Sequence, residues 1–231
     1  MDRRNFMLTG AAGLTLLSGK ATAAAADDWA LADRLVEAMG GRANWLPLKG
    51  LSIRARHFEA DVPQPYDNAL FIALAEPRMR FEGRSANMNR IRAVVGDKGW
   101  RVSEISLLGP LSAEVVKSDK EWWETHVYRN VWRLAQRDPT LQPRRHPDGR
   151  LELYRSDGKR LMWYRLNMAG EPVGFGRLDS ETTATILGPL QEVEGGVRLP
   201  IFSSSSDGTF RAVDQRGAVY RTLPPVDWDK P

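Results

Sequence analysis

The residues able to do chemistry are few and scattered. Three histidines, His57, His126 and His146, stand far apart in a chain of 231 residues. None belongs to an H-E-x-x-H pair or another close-spaced ligand set. Cysteine is absent, so thiolate zinc sites, iron–sulfur clusters, disulfides and cysteine nucleophiles are excluded. No G-x-S-x-G elbow, Walker A run or dinucleotide fingerprint occurs. Ser203–Ser206 precedes Asp207-Gly208 and reads as a strand end and turn rather than a nucleophile. Glu121 and Glu124 lie three apart, the spacing of solvated helix charges; as a hydrolytic pair they would need a cleft between them. The chemistry therefore points away from an enzyme, and neither a metal nor a cofactor is expected.

The arginines form a clearer pattern. Arg54, Arg56, Arg78, Arg80, Arg84, Arg90 and Arg92 alternate with apolar residues on consecutive strand-like segments. Side chains alternate between the faces of a strand. The spacing predicts a basic stripe away from the core, with Phe81 and Ile91 buried and Arg80 and Arg92 opposite. Such a stripe is either a solvated face, balanced by Asp179, Glu181, Glu192 and Glu194, or a surface for anionic headgroups or an acidic partner protein.

Composition narrows the class. Hydrophobic residues are 42% and charged residues 27%, ordinary for a globular chain. Residues 1–26 hold three basic side chains and one acidic, so the remainder carries only +2 of the formal +4. That small excess gives no reason to expect nucleic acid. Of the basic residues 26 are Arg and 7 Lys, a bias that does not by itself make a phosphate site.

Several elements must position these groups. Asp27 or Asp28 caps a helix beginning near Trp29, with Leu31, Leu35 and Met39 at helical spacing and Gly40-Gly41 as its C-terminal stop. From Leu48 the period falls to two. Residues 68–75 are apolar on both faces, as in a strand covered on both sides. Residues 112–137 lack Gly and Pro and predict one long helix stopped by Asp138-Pro139. On it Trp123, Val127, Val131 and Leu134 fall within about 80° of arc, with Tyr128 and Trp132 on the other side. The stripe suits core packing; the second aromatic spot suits a lid facing a ligand. After Pro143 short strands alternate with turns. About ten strands and two clear helices give an α+β fold: one large curved antiparallel sheet with helices on one face.

The first 26 residues, MDRRNFMLTGAAGLTLLSGKATAAAA, read as an address. Arg3-Arg4 with Phe6, a weakly apolar stretch from Leu8 to Leu17, and Lys20 resemble a twin-arginine (Tat) export signal. Cleavage after Ala23, Ala25 or Ala26 would leave one domain over 27–231 in the periplasm. The apolar stretch is too short for a stable membrane span.

A second resemblance follows from Met39-Gly40-Gly41, the connector with Trp45 and Leu48, the strand KGLSIRAR, and the run Ala75-Glu76-Pro77-Arg78-Met79-Arg80. Their order is similar to that of the LolA-like periplasmic lipoprotein carriers. The likeness covers residues 28–105 by pattern and the rest by strand order. It implies an unclosed β-barrel, a strongly curved antiparallel sheet with helices on its concave face, and an apolar cavity between them. Lining candidates are Phe71, Phe81, Trp100, Trp123, Val127, Trp132 and Trp163. The implied function is a soluble carrier of a lipid, an acylated protein or another hydrophobic molecule, because each buried CH₂ gains about 0.8 kcal/mol. Without cysteine the chain carries no lipid anchor of the lipoprotein type. The alternative is a non-enzymatic accessory protein whose sheet is filled by its own side chains and which acts through a surface contact.

Overall fold

The computed structural model describes residues 27–102, 108–179 and 183–229; the segment expected to be an export signal, its expected cleavage sites and Glu181 lie outside them. Helix α1 (27–38) comes first, then the short α2 (Arg42–Trp45). Six strands follow: β1 (Gly50–Glu59), β2 (Tyr66–Ala73), β3 (Arg78–Ser85), β4 (Met88–Val95), β5 (Lys98–Val102) and β6 (Leu108–Pro110). Helices α3 (Ala113–Glu124) and α4 (Val127–Gln136) interrupt the sheet. Then come β7 (Leu141–Arg145), β8 (Leu151–Arg155), β9 (Arg160–Leu166), β10 (Pro172–Arg177) and β11 (Thr185–Leu187). The chain closes with β12 (Leu190–Glu192), β13 (Arg198–Pro200), β14 (Ser203–Ser205) and β15 (Phe210–Tyr220).

Thirteen strands form one antiparallel sheet in the order β6-β5-β4-β3-β2-β1-β15-β14-β11-β10-β9-β8-β7, and β12 pairs with β13 apart from it. The first wing grows outward from β1 to one edge. The second starts at the opposite edge and grows back to β15, which pairs with β1. The chain between β6 and β7 must therefore travel from edge to edge, and α3 and α4 are that crossing. They lie on the concave face, so the fold is α+β with a strongly curved, unclosed sheet.

The core fills the space between. Leu51, Ile72, Met79 and Val94 from the first wing meet Leu151, Leu153, Met162 and Tyr164 from the second, with Leu35, Met39, Val131 and Leu134 from the helices. Tyr164 Oη donates to the Val127 carbonyl at 2.6 Å, tying the second wing to α4.

The expected long helix is two. α3 ends at Glu124, and Thr125 Oγ1 donates to the carbonyls of Glu121 and Trp122 at 3.1 and 3.2 Å, competing with the backbone ladder. His126 takes extended geometry as the N-cap of α4, and Asn130 Nδ2 donates to the Glu124 carbonyl at 3.0 Å. The stripe of Trp123, Val127, Val131 and Leu134 is buried as expected. The break re-aims α4, however, and Tyr128, expected on the opposite side, is buried too.

Gly40-Gly41 ends α1 as the sequence requires, at φ of 109° and 84°. Gly40 has a second duty. A Cβ there would stand 2.3 Å from the Gly196 carbonyl oxygen and 2.8 Å from Val197 Cα. Gly40→Ala is expected to destabilise by about 1–3 kcal/mol, through strained φ and overpacking. Urea unfolding measures it; a loss under about 0.5 kcal/mol would show that the 195–197 turn gives way freely.

The arginine stripe divides. The two-residue turn between β3 and β4 pairs Phe81 with Arg92 and Arg80 with Ala93, so odd residues of one strand share a face with even residues of the next. Arg54, Arg56, Arg78, Arg80 and Arg84 lie on the convex face, whereas Arg90 and Arg92 share the concave face with Phe81. Ile91 is buried as expected, but on the convex side with Arg80. Phe81 is only half-buried, beneath the Arg92 guanidinium at 4.9 Å. Arg80, expected to be exposed, is 6% exposed because residues 224–229 cross over it.

Candidate functional site

A candidate site lies where α3 and α4 meet the sheet. There a cleft of about 730 Å³ is lined by Ala113, Val116, Trp123 and Pro77 and by a ring of charged residues. Its volume is in the range of small-molecule sites.

Local structure explains each wall. Ser112 caps α3, its Oγ accepting from the Val115 amide at 3.4 Å, and this sets Ala113 and Val116 at the rim. Trp123, in the last turn of α3, donates from Nε1 to the Ala73 carbonyl at 2.7 Å, which fixes its ring against the end of β2. Arg129, in the first turn of α4, lays its guanidinium over that indole, with Cζ 3.6 Å from the ring centroid. Its Nε donates to the Leu74 carbonyl at 3.1 Å. Burial and then the positive charge of Arg133 push the Arg129 guanidinium down to about 9.

The surrounding charges are mostly satisfied. Arg133 donates to Asp138 at 2.7 Å, Thr140 at 3.0 Å and Asn130 at 3.3 Å. Glu124 accepts from Arg155 at 3.0 Å and from Lys159 at 2.5 Å. Burial would raise the Glu124 carboxyl, but the two cations outweigh it and hold it below its ordinary value. Lys120 bonds to Asp97 on the turn between β4 and β5. Glu124 is therefore an anchor between α3 and the β8–β9 turn, not the solvated helix charge that its spacing suggested.

The seven lining residues named from the sequence are not gathered in one place. Trp123 lines the cleft. Val127 and Phe81 belong to the concave side, and Phe81 meets the ring of Trp122 at 5.1 Å. Trp132 is half-buried against the core, its indole nitrogen buried without a partner among the described residues. Phe71 and Trp100 lie on the convex face with Trp228, whose carbonyl accepts from Trp100 Nε1 at 2.9 Å. Trp163 also points outward, between Arg150 and Arg165, with Gly176 leaving room for its ring. Sequence reading missed Arg129 and Arg133. Their signal was two like charges four residues apart in an otherwise uncharged helix, where repulsion argues for a special environment.

The histidines stay apart: His57 on β1, His126 between α3 and α4, and His146 in the turn after β7. Among the described residues no group of three or more His, Asp or Glu side chains could hold a metal ion. Ser203–Ser205 is strand β14, followed by the Asp207-Gly208 turn. No described helix is long and apolar enough to cross a membrane.

On the convex face a second groove, of about 680 Å³, is lined by Arg54, Arg56, Arg84 and Arg216 with Asp67, Glu82 and Asp214 between them.

No family model and no curated protein matches the chain. Solved structures do. A DUF1329 family protein from Desulfovibrio piger superposes with a TM-score of 0.53 at 10% identity, covering 87% of this chain and 95% of its own. An outer membrane lipoprotein-sorting protein domain from Vibrio parahaemolyticus gives 0.46 at 10% identity, covering 86% of this chain and 97% of its own. At such identity the first likeness shows a shared fold and no activity, and the second adds nothing to it.

Proposed function

We propose that the chain is an exported, non-enzymatic binding protein that holds an amphipathic molecule in the cleft between α3, α4 and the sheet. The supporting observation is the cleft itself: about 730 Å³, with Val116 and Trp123 as apolar wall and a ring of cations and carboxylates around it. An acyl chain would lie against the wall, each buried CH₂ gaining about 0.8 kcal/mol. The twin-arginine resemblance of residues 1–26 supports a periplasmic setting.

Native mass spectrometry of protein drawn from the periplasm should show a bound amphiphile, and a fluorescent fatty acid should displace it. Ala113 is exposed at the rim. Ala113→Trp should block uptake at least about tenfold, the loss of one or two kcal/mol of contact, with little change in melting temperature. Trp132→Ala should leave uptake unchanged, since Trp132 is outside the cleft lining. Uptake that depends on Trp132 and not on the rim would move the site to the sequence-derived cavity. No uptake by the unmutated protein would overturn the reading.

A second reading rests on the convex groove. Four arginines around it suit docking to an anionic membrane surface or an acidic partner protein, as an accessory protein would require.

A further inference from the structure

Every cation of the cleft but two has a carboxylate. Arg133 takes Asp138, Arg155 takes Glu124 and Asp157, and Lys120 takes Asp97. Lys117 stands on the exposed rim. Arg129 is different, being half-buried and making no ion pair with a described residue. Its donated bonds go to two main-chain carbonyls, Leu74 at 3.1 Å and Glu124 at 3.5 Å. A guanidinium carries five N–H donors in a planar fork that matches an oxyanion. Its neighbour Arg133 is also positive. Taking such a charge out of water without a directly paired carboxylate is costly, and the Trp123 ring beneath offsets only part of that cost. Glu124 and Asp138 act on the guanidinium only from beyond ion-pair distance, and each is already engaged by another cation. An arriving oxyanion would give it a direct partner.

We infer that Arg129 is the anion clamp of the cleft, and that the ligand brings a carboxylate or phosphate oxyanion to its guanidinium. The apolar part of that ligand rests on the binding-protein reading above; the clamp does not. Trp123 holds the fork from below and the Leu74 carbonyl holds it at Nε, so the guanidinium is preorganised before the ligand arrives. Arg133, fixed by Asp138, Asn130 and Thr140, adds a second positive field without moving.

The test compares a saturated fatty acid with its methyl ester, and inorganic phosphate by calorimetry, at pH 7 in low salt. The unmutated protein should prefer the acid at least about tenfold, the worth of one charge-assisted hydrogen bond pair. Arg129→Gln should bring acid and ester within about threefold, and Arg129→Lys should retain part of the preference. Should Arg129→Gln fail to fold, the acid-to-ester ratio of the unmutated protein still decides. Equal affinity for acid and ester overturns the clamp and leaves the binding-protein reading standing. Phosphate binding that needs Arg129, without any chain binding, keeps the clamp and overturns the amphiphile. No binding of any probe overturns both.

Discussion

Trp228→Ala is expected to destabilise the protein by about 3–5 kcal/mol, the range for removing a buried Trp or Phe. Trp228 is 7% exposed and packs on Ala69 and Phe71 of β2, with Val95 and Val226 beside it. It is the apolar anchor of the segment crossing the convex face. That segment also satisfies buried groups: Arg80 Nη1 donates to the Asp227 carbonyl at 2.6 Å and Trp100 Nε1 to the Trp228 carbonyl at 2.9 Å. If the anchor is lost, the segment loosens and both donors lose fixed partners. In a chain this size the melting temperature should fall by about 6–20 °C, and the denaturant midpoint should fall with it. Met168→Ala, at a residue 98% exposed, is the control and should stay within about 0.5 kcal/mol. A Trp228→Ala loss under about 1 kcal/mol would show that the strap is not part of the cooperative unit.

Mild acid should be the second large perturbation. Burial lowers the His126 imidazole to about 3, with Arg129 adding to the effect, and burial lowers His57 to about 4. His126 is enclosed by the rings of Trp122 and Tyr128. His57 lies between Tyr66 and Phe210, and Glu59, 3.9 Å away, already accepts the Tyr66 hydroxyl. Both histidines are therefore neutral when folded and charge readily when unfolded. The unfolded chain binds the extra protons, so stability is full above about pH 6.5 and falls as pH drops toward the folded values. At pH 5 each histidine removes about 2 kcal/mol, together about 4 kcal/mol. The folded forms of Glu124 and Asp138 hold carboxyls below their ordinary values and add to the loss only at lower pH. Urea unfolding at pH 7 and pH 5 measures the difference. A double variant, His57→Phe with His126→Phe, should flatten the slope between pH 6.5 and 5; an unchanged slope would place the acid sensitivity elsewhere.

Local signals were legible where one residue decides the backbone. Gly40-Gly41 stops α1 because positive φ is open to glycine, and Ser203–Ser206 before Asp-Gly is strand and turn. The double-sided apolar run at 68–75 announced that both faces of β2 are covered, though not by what: the helices lie on one side and Trp228 on the other. The alternation of period two established strands and an antiparallel sheet, because neighbouring side chains must leave a strand on opposite sides.

Tertiary structure decided which face was which. A two-residue turn set the β3–β4 register and put Arg92 with Phe81, and no periodicity within either strand carries that information. Arg80 is buried by a segment almost 150 residues away in sequence, through a backbone carbonyl that any residue could supply. The cleft has the same origin. Trp123 and Arg129 meet because Thr125 and Asn130 break the helix between them and because the carbonyls of Ala73 and Leu74 receive both side chains. Residue types and spacing set the local geometry, whereas a half-buried guanidinium without a paired carboxylate arises only when distant elements pack together and exclude water around it.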